Sequence, residues 1–261
     1  MSSDPTQSPT PTSPSSRAWY DEAFGEDYLD RYAHRDDDEA EQAVSLVLRY
    51  AALPAGSRAF DLCCGAGRHV RFLRDHRLEV IGGDRSMELL RTAHNVCRCF
   101  VRLDMRYLPF ADASFDLVTN FFTAFGYFAN DAENFAVLDE VHRVLRPGGW
   151  FALDFLNAHT ARQAVLDNPL QELDDPERGI HWIIRRRISP DGLRSIKIQE
   201  KMRGTTMMRT LREEVRLYSE QELRRALETR GFLIDEFFGD YDGEPFDRST
   251  SPRALFLAQK L

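Results

Sequence analysis

The run Arg58-Ala-Phe-Asp-Leu-Cys-Cys-Gly-Ala-Gly67, followed by Arg68-His-Val-Arg-Phe-Leu-Arg74, sets an apolar strand against a helix with only a glycine turn between them. Gly65 and Gly67 remove side chains, so the chain can turn sharply and present bare N–H groups, backed by a helix start, to a ligand's polar tail. In an open α/β sheet this turn lies at the carboxyl end of a strand, where ligands bind. Asp61, inside the strand just before it, needs partners because an unpaired buried carboxylate is costly. Loop N–H groups or, through water, an ammonium group would serve.

Strands and helices alternate around that turn. The expected strands are Ala59–Cys63, Leu78–Gly82, Arg98–Leu103, Phe115–Asn120 and Trp150–Phe155. Helices fall near Arg68–Asp75, Met87–Asn95 with Ser86 as N-cap, and Ala132–Leu145 with Asp131 as cap. An earlier helix opens at Asp36-Asp-Asp-Glu39, with acids at its positive end, and runs to about Tyr50. Ser219-Glu-Gln-Glu222 is a capping box for a helix ending at Gly231, and two strands follow, Phe232–Phe238 and Arg253–Gln259. Their connection has no helix, so the final strand should be reversed. The fold class is α/β: a doubly wound, mostly parallel seven-stranded sheet with its last strand antiparallel.

Between about Ile180 and Tyr218 the period changes to that of an antiparallel sheet, with Ser189-Pro-Asp-Gly192 as a hairpin turn. The expected division is a tail at 1–17, a core domain at 18–177 and 219–261, and an inserted β lid at 178–218. Residues 178–216 hold eleven Lys/Arg against four Asp/Glu, which suits either an anionic substrate or a solvated outer sheet face. Residues 1–17 are mostly Ser, Thr and Pro without the apolar core of a signal peptide, and read as disordered.

Within the 261 residues no apolar run approaches the ~20 residues needed to cross a membrane. The net charge of −8 argues against broad nucleic-acid affinity. Cys63, Cys64, Cys97 and Cys99 form neither a disulfide framework nor a metal knuckle, and read as reduced thiols of a cytoplasmic protein with no metal site.

Asp84 closes the second strand about twenty residues past the glycines, placed to accept from both hydroxyls of a ribose, with Arg85 behind it. Dinucleotide enzymes also carry such an acid. Two features separate the cases: Val70 stands where a third glycine of G-x-G-x-x-G would be, and Asp104 closes the third strand with Met105 and Arg106 behind it. A carboxylate accepting from an adenine amine, with Met105 against the ring, would explain that acid; a strand-end turn residue is the plainer alternative.

The set Phe60-Asp-Leu-Cys-Cys-Gly-Ala-Gly67, Asp84, Asp104, Phe115-Asp-Leu-Val-Thr-Asn120 and Arg146-Pro-Gly-Gly149 resembles the class I, Rossmann-like S-adenosylmethionine-dependent methyltransferases over residues 40 to 261. The resemblance implies S-adenosylmethionine as cofactor. It puts the methionine part at Gly65 and Gly67, the ribose at Asp84 and the adenine amine at Asp104, with Asp61, Cys63, Arg85, Met105 and Asn120 around them. Trp19-Tyr-Asp-Glu, Phe122-Thr-Ala-Phe-Gly-Tyr127, Asp154-Phe-Leu-Asn157 and Gly239-Asp-Tyr-Asp-Gly243 are similar to a bacterial subgroup acting on small molecules, with a β lid after strand five. Cys63 and Cys64 stand where the commonest turn has a glycine, leaving one fewer flexible position.

A sulfonium methyl is already activated, so alignment and exclusion of water suffice for transfer and no triad is needed. Tyr28, Tyr32, Phe121, Tyr127 and Asn157 are the candidate acceptor-binding residues, with core aromatics and loop caps as the alternative reading. His34, His159 and His181 each stand alone, so no general base is assigned. A non-catalytic sensor or scaffold with the same pocket, and an NAD-type oxidoreductase, are the rival functions. Composition and spacing leave the acceptor atom and the oligomeric state open.

Overall fold

The computed structural model describes residues 18–25, 27–28 and 37–261, and within them the expected alternation builds two sheets. The tail at 1–17, Tyr32 and His34 lie outside the described residues. In chain order the core elements are α1 (Tyr20–Ala23), α2 (Asp37–Ala51), β1 (Arg58–Leu62), α3 (Arg68–Asp75), β2 (Glu79–Asp84), α4 (Met87–Ala93), β3 (Phe100–Arg102), β4 (Phe115–Asn120), α5 (Asp131–Val144) and β5 (Leu145–Leu156). Then come α6 (Ala158–Asp167), β6 (Leu170–Asp175), β7 (Ile180–Ile188), β8 (Arg194–Arg203), β9 (Thr206–Arg216), α7 (Glu220–Glu228), β10 (Phe232–Phe238) and β11 (Arg253–Lys260).

The main sheet has seven strands in the order β10-β11-β5-β4-β1-β2-β3. The pairs among β1 to β5 are parallel, and β11 runs antiparallel to both β5 and β10. Order reverses at β1, where consecutive connections leave in opposite directions, and the glycine turn sits at that point. Alternation along the strands feeds two cores. Phe60, Leu62 and Phe256 pack with Val137, Val141, Leu223 and Leu227 of α5 and α7 on one face. Ala59, Leu255 and Leu257 pack with Val44, Val47, Val70 and Leu73 of α2 and α3 on the other. A doubly wound sheet covered on both faces follows from that patterning.

Capping chemistry sets several boundaries. The Ser86 hydroxyl accepts from the Leu89 N–H at 3.2 Å, and Ser219 with Glu222 forms a complete capping box. For α5 the cap is Asn130, which accepts from Glu133 N–H at 2.9 Å; Asp131, the expected cap, is the first helical residue and accepts instead from the Tyr218 hydroxyl. β5 begins before Pro147-Gly-Gly149, with a bulged excursion between the pairs Phe115 with Leu145 and Leu117 with Trp150.

The second sheet is antiparallel, in the order β6-β7-β8-β9, around a small core of Trp182, Ile184 and Leu211. It opens at Leu170, ahead of the boundary expected at 178, because β6 joins it. Its basic surplus is largely matched within the structure: Arg185 pairs with Glu200, Lys197 with Glu213, Arg194 with Glu214, and Lys201 and Arg209 with Asp27. Cys97 and Cys99, expected as reduced thiols, are joined as a disulfide with Cα atoms 5.5 Å apart, an ordinary span for that bond.

Gly82 and Gly83 let β2 pass close under its neighbours. A Cβ at Gly83 would stand 2.7 Å from Leu103 and 2.8 Å from the ring of Phe60, which is fully buried and cannot retreat. Gly83→Ala is therefore expected to cost about 1–3 kcal/mol through overpacking, read as a lower urea midpoint at unchanged slope. An unchanged midpoint would contradict this packing.

Candidate functional site

The carboxyl ends of β1, β2, β3 and β4 surround a cavity with about 770 Å³ of space free of protein atoms, continuous with solvent. Its floor is Cys63, Gly65, Asp84, Arg85 and Ser86; Leu103, Asp104 and Met105 form one side. The opposite wall is aromatic: Phe121, Phe122, Tyr127 and Phe128 follow β4, and Tyr20, Phe24 and Tyr28 come from the N-terminal segment. Those last three are spaced evenly by four in the sequence. α1 ends at Ala23, yet all three still reach the cavity. They pack as a layer: Phe24 stacks on Tyr127 at 5.6 Å, and Tyr20 meets Phe128 edge-on at 5.6 Å.

Asp84 ties the floor together. One carboxylate oxygen accepts from Gly65 N–H at 2.9 Å and the other from Ser86 N–H at 2.8 Å. Burial raises its pKa above the ordinary carboxylate range, opposed by those backbone bonds. A carboxylate offers about four acceptor positions, so two remain beyond the amides. Gly65 has φ +55°, and a Cβ there would meet only Leu89, at 3.9 Å, so the space above the turn is open. Gly67, at φ +81°, does different work: it precedes α3, outside the cavity lining, and a Cβ on it would lie 2.7 Å from the Phe100 ring.

Cys63 occupies a left-handed conformation, φ +63°, where glycine would be unstrained. Its thiol lies 3.6 Å from the Met105 sulfur, and burial, then the charges of Asp84, Asp61 and Asp104, push its pKa well up. A protonated thiol is a packing group, not a nucleophile.

Asp104 is more heavily engaged than its sequence position suggests. Arg106 donates to both of its oxygens, at 3.0 and 2.8 Å, and adds its backbone N–H at 3.0 Å. Arg85 donates to Oδ2 at 2.8 Å and also reaches Asp21 of α1. Burial acts against ionisation, but the Arg106 fork and Arg85 hold Asp104 below the ordinary carboxylate range. All four acceptor positions are thus taken, and the Arg85 bond, from a side chain 42% exposed, is the most readily exchanged.

Asp61 and Asn120 lie just outside the cavity lining, and each keeps an orphan oxygen. Asp61 Oδ1 accepts from Thr119 at 2.8 Å, while Oδ2 is buried without a partner among the described residues. Asn120 donates to the Leu62 carbonyl at 3.0 Å, and its Oδ1 is likewise unpartnered. Asn157 is not part of the cavity: its amide donates to the carbonyls of Arg248 and Ser251, and its oxygen caps α6 through His159 N–H. His159 stands at that helix start, and His181 is paired with Asp174 on β6. Sequence reasoning passed over Phe24, Ser86, Leu103 and Phe128. Ser86, Leu103 and Phe128 border residues already singled out, and Phe24 stands four residues before Tyr28.

With this geometry in view, the likenesses are specific. Residues 59–149 match the family model described as a methyltransferase domain. An uncharacterized methyltransferase of Synechocystis sp. is 35% identical over 43% of this chain and 53% of its own length. The malonyl-[acyl-carrier protein] O-methyltransferase of Pseudescherichia vulneris is 33% identical over 48% of this chain and 51% of its own. The chain thus spans about half the length of these curated relatives. A solved S-adenosylmethionine-dependent methyltransferase from Clostridium acetobutylicum superposes with a TM-score of 0.75 at 18% identity, covering 90% of this chain and 96% of that one. The fold is therefore that of the class I, Rossmann-like methyltransferases.

Burial raises the Asp61 carboxyl to about 7 from an ordinary 3.8, with Thr119 opposing. A proton that the folded chain keeps and the unfolded chain releases makes stability fall as pH rises from about 4 to about 7. Each pKa unit corresponds to about 1.4 kcal/mol, so wild type should lose a few kcal/mol over that window relative to Asp61→Asn, which does not titrate. Urea denaturation of both proteins at several pH values tests this; parallel curves would refute it.

Proposed function

From a methyltransferase domain at 59–149 and the cavity described above, we propose that the chain transfers a methyl group from S-adenosylmethionine to a small-molecule acceptor by in-line displacement. The observation that carries this is Asp84: a buried carboxylate fixed by two backbone amides beside an open glycine turn, with acceptor positions left for a pair of ribose hydroxyls. The orphan oxygen of Asp61, just outside the lining, suits the ammonium end of the same ligand through a water, and an adenine amine would take the place of Arg85 on Asp104. When bound, the sulfonium supplies an activated methyl group. The chain's own part is to orient and to exclude water, which the aromatic wall does.

On the acceptor side Tyr20, Tyr28 and Tyr127 carry hydroxyls among otherwise apolar groups. Among the described residues no histidine lines the cavity, and the carboxylates that do, Asp84 and Asp104, belong to the cofactor side, which favours positioning over general-base catalysis. The acidic net charge and the internally paired basic residues of the second sheet fit a small acceptor and not a nucleic acid. We take the second sheet as the lid over the acceptor and place the enzyme in the cytoplasm; among the described residues no helix is long and apolar enough to cross a membrane.

Thermal unfolding with S-adenosylmethionine, S-adenosylhomocysteine or NAD added tests the assignment. Saturation at about a hundred times Kd should raise the wild-type Tm by several degrees with either adenosyl compound. Asp84→Ala should lower the baseline and abolish most of the ligand-induced rise. A rise with NAD and none with the adenosyl compounds would overturn the reading. Methyl-labelled cofactor incubated with cell extract separates enzyme from sensor, since a sensor binds without transferring label.

A further inference from the structure

Phe122 and Thr123, directly after β4, both have φ +58°. Neither has glycine's freedom, and a β-branched residue is an outlier in that region. Such a conformation persists only where its surroundings over-determine it. Here the surroundings converge on Asp154 of β5, whose side chain is wholly buried. Its Oδ2 accepts from Phe122 N–H at 2.6 Å, and its backbone carbonyl accepts from Thr123 N–H at 3.2 Å. The amides of both left-handed residues therefore end on one aspartate.

That aspartate is itself held. The Tyr241 hydroxyl donates to Oδ2 at 2.6 Å, and Arg253 Nη1 donates to both oxygens at 2.9 and 2.8 Å. The Arg253 guanidinium lies between two rings, 4.6 Å from that of Phe122 and 4.6 Å from that of Tyr241. Burial and the Asp154 charge push the Tyr241 hydroxyl well up, so it stays a donor. Two sequence stretches that the cavity did not absorb, Asp154-Phe-Leu-Asn157 and Gly239-Asp-Tyr-Asp-Gly243, thus meet at one point.

What they hold is the cavity wall. Phe121, Phe122 and Ala124 line the cavity, whereas Thr123 borders an outer groove together with Tyr241 and Arg253. We propose that Asp154, clamped by Tyr241 and Arg253, is a positioning residue of the methyl-transfer site, fixing the left-handed Phe122–Thr123 turn and with it the aromatic wall. The inference rests on the cofactor assignment above and adds to it the device that sets the wall's place.

The test is isothermal titration of S-adenosylhomocysteine into wild type, Tyr241→Phe and the double variant Tyr241→Phe/Thr123→Gly. Losing one charge-assisted bond to Asp154 should weaken binding roughly fivefold to tenfold in Tyr241→Phe. Glycine adopts positive φ without strain, so the double variant should recover most of that loss. A merely structural tyrosine would lower Tm in both variants without this recovery. A Tyr241→Phe dissociation constant within twofold of wild type, or a double variant as weak as the single, overturns the inference alone. Wild type that binds neither S-adenosylhomocysteine nor S-adenosylmethionine overturns the cofactor assignment and this with it. Arg253→Lys is read in the same way should Tyr241→Phe not fold.

Discussion

The bonds from Gly65 and Ser86 N–H to Asp84 are the constraint around which the site is built. They join the turn after β1 to the cap of α4, so two loops from different strand-helix units share one carboxylate. Without them a buried charge would stand unpaired, and two amides near helix starts would lose their acceptor. Gly65 meets the demand because its left-handed backbone turns the N–H toward β2 while leaving the space above it clear.

The same device recurs with variations along the edge of the sheet. Asp154 takes the amide of the residue after next beyond β4, as Asp84 takes that of Gly65. Asp61 departs from the scheme: one oxygen is satisfied by a hydroxyl and the other by nothing, so it holds a proton near neutrality. Three non-glycine residues, Cys63, Phe122 and Thr123, adopt positive φ around this edge. At about 1–2 kcal/mol each, such strain gathers where a site must be held in one arrangement.

Much of this was readable from residues alone. Strand ends at Asp84 and Asn120, the Ser86 cap, the Ser219 capping box and the reversed final strand all rest on local chemistry or chain length, which sequence carries directly. The failures also have local causes. β6 is Leu-Gln-Glu-Leu-Asp-Asp, exposed along nearly its whole length, and α6 buries only Ala158 and Val165, so neither shows an apolar period. Asn157 looked like a polar group at a strand end, and is one, but its partners lie ninety or more residues away in the loop before β11. The saturation of Asp104 depends on where two arginine side chains go, which spacing does not reveal. The left-handed Cys63 was foreshadowed by the missing glycine, whereas nothing in Phe122-Thr123 announces its conformation.

Asp27 lies only 11% exposed between Lys201 of β8 and Arg209 of β9, while Asp21, a few residues earlier, reaches Arg85 on the opposite side. The N-terminal segment is thus riveted between two sheets that share no strand. Peeling it from the second sheet would leave Asp27 without Lys201 and Arg209, and peeling it from the first would leave Asp21 without Arg85. The rings of Tyr20, Phe24 and Tyr28 that line the cavity therefore belong to a stretch of chain anchored to both sheets at once.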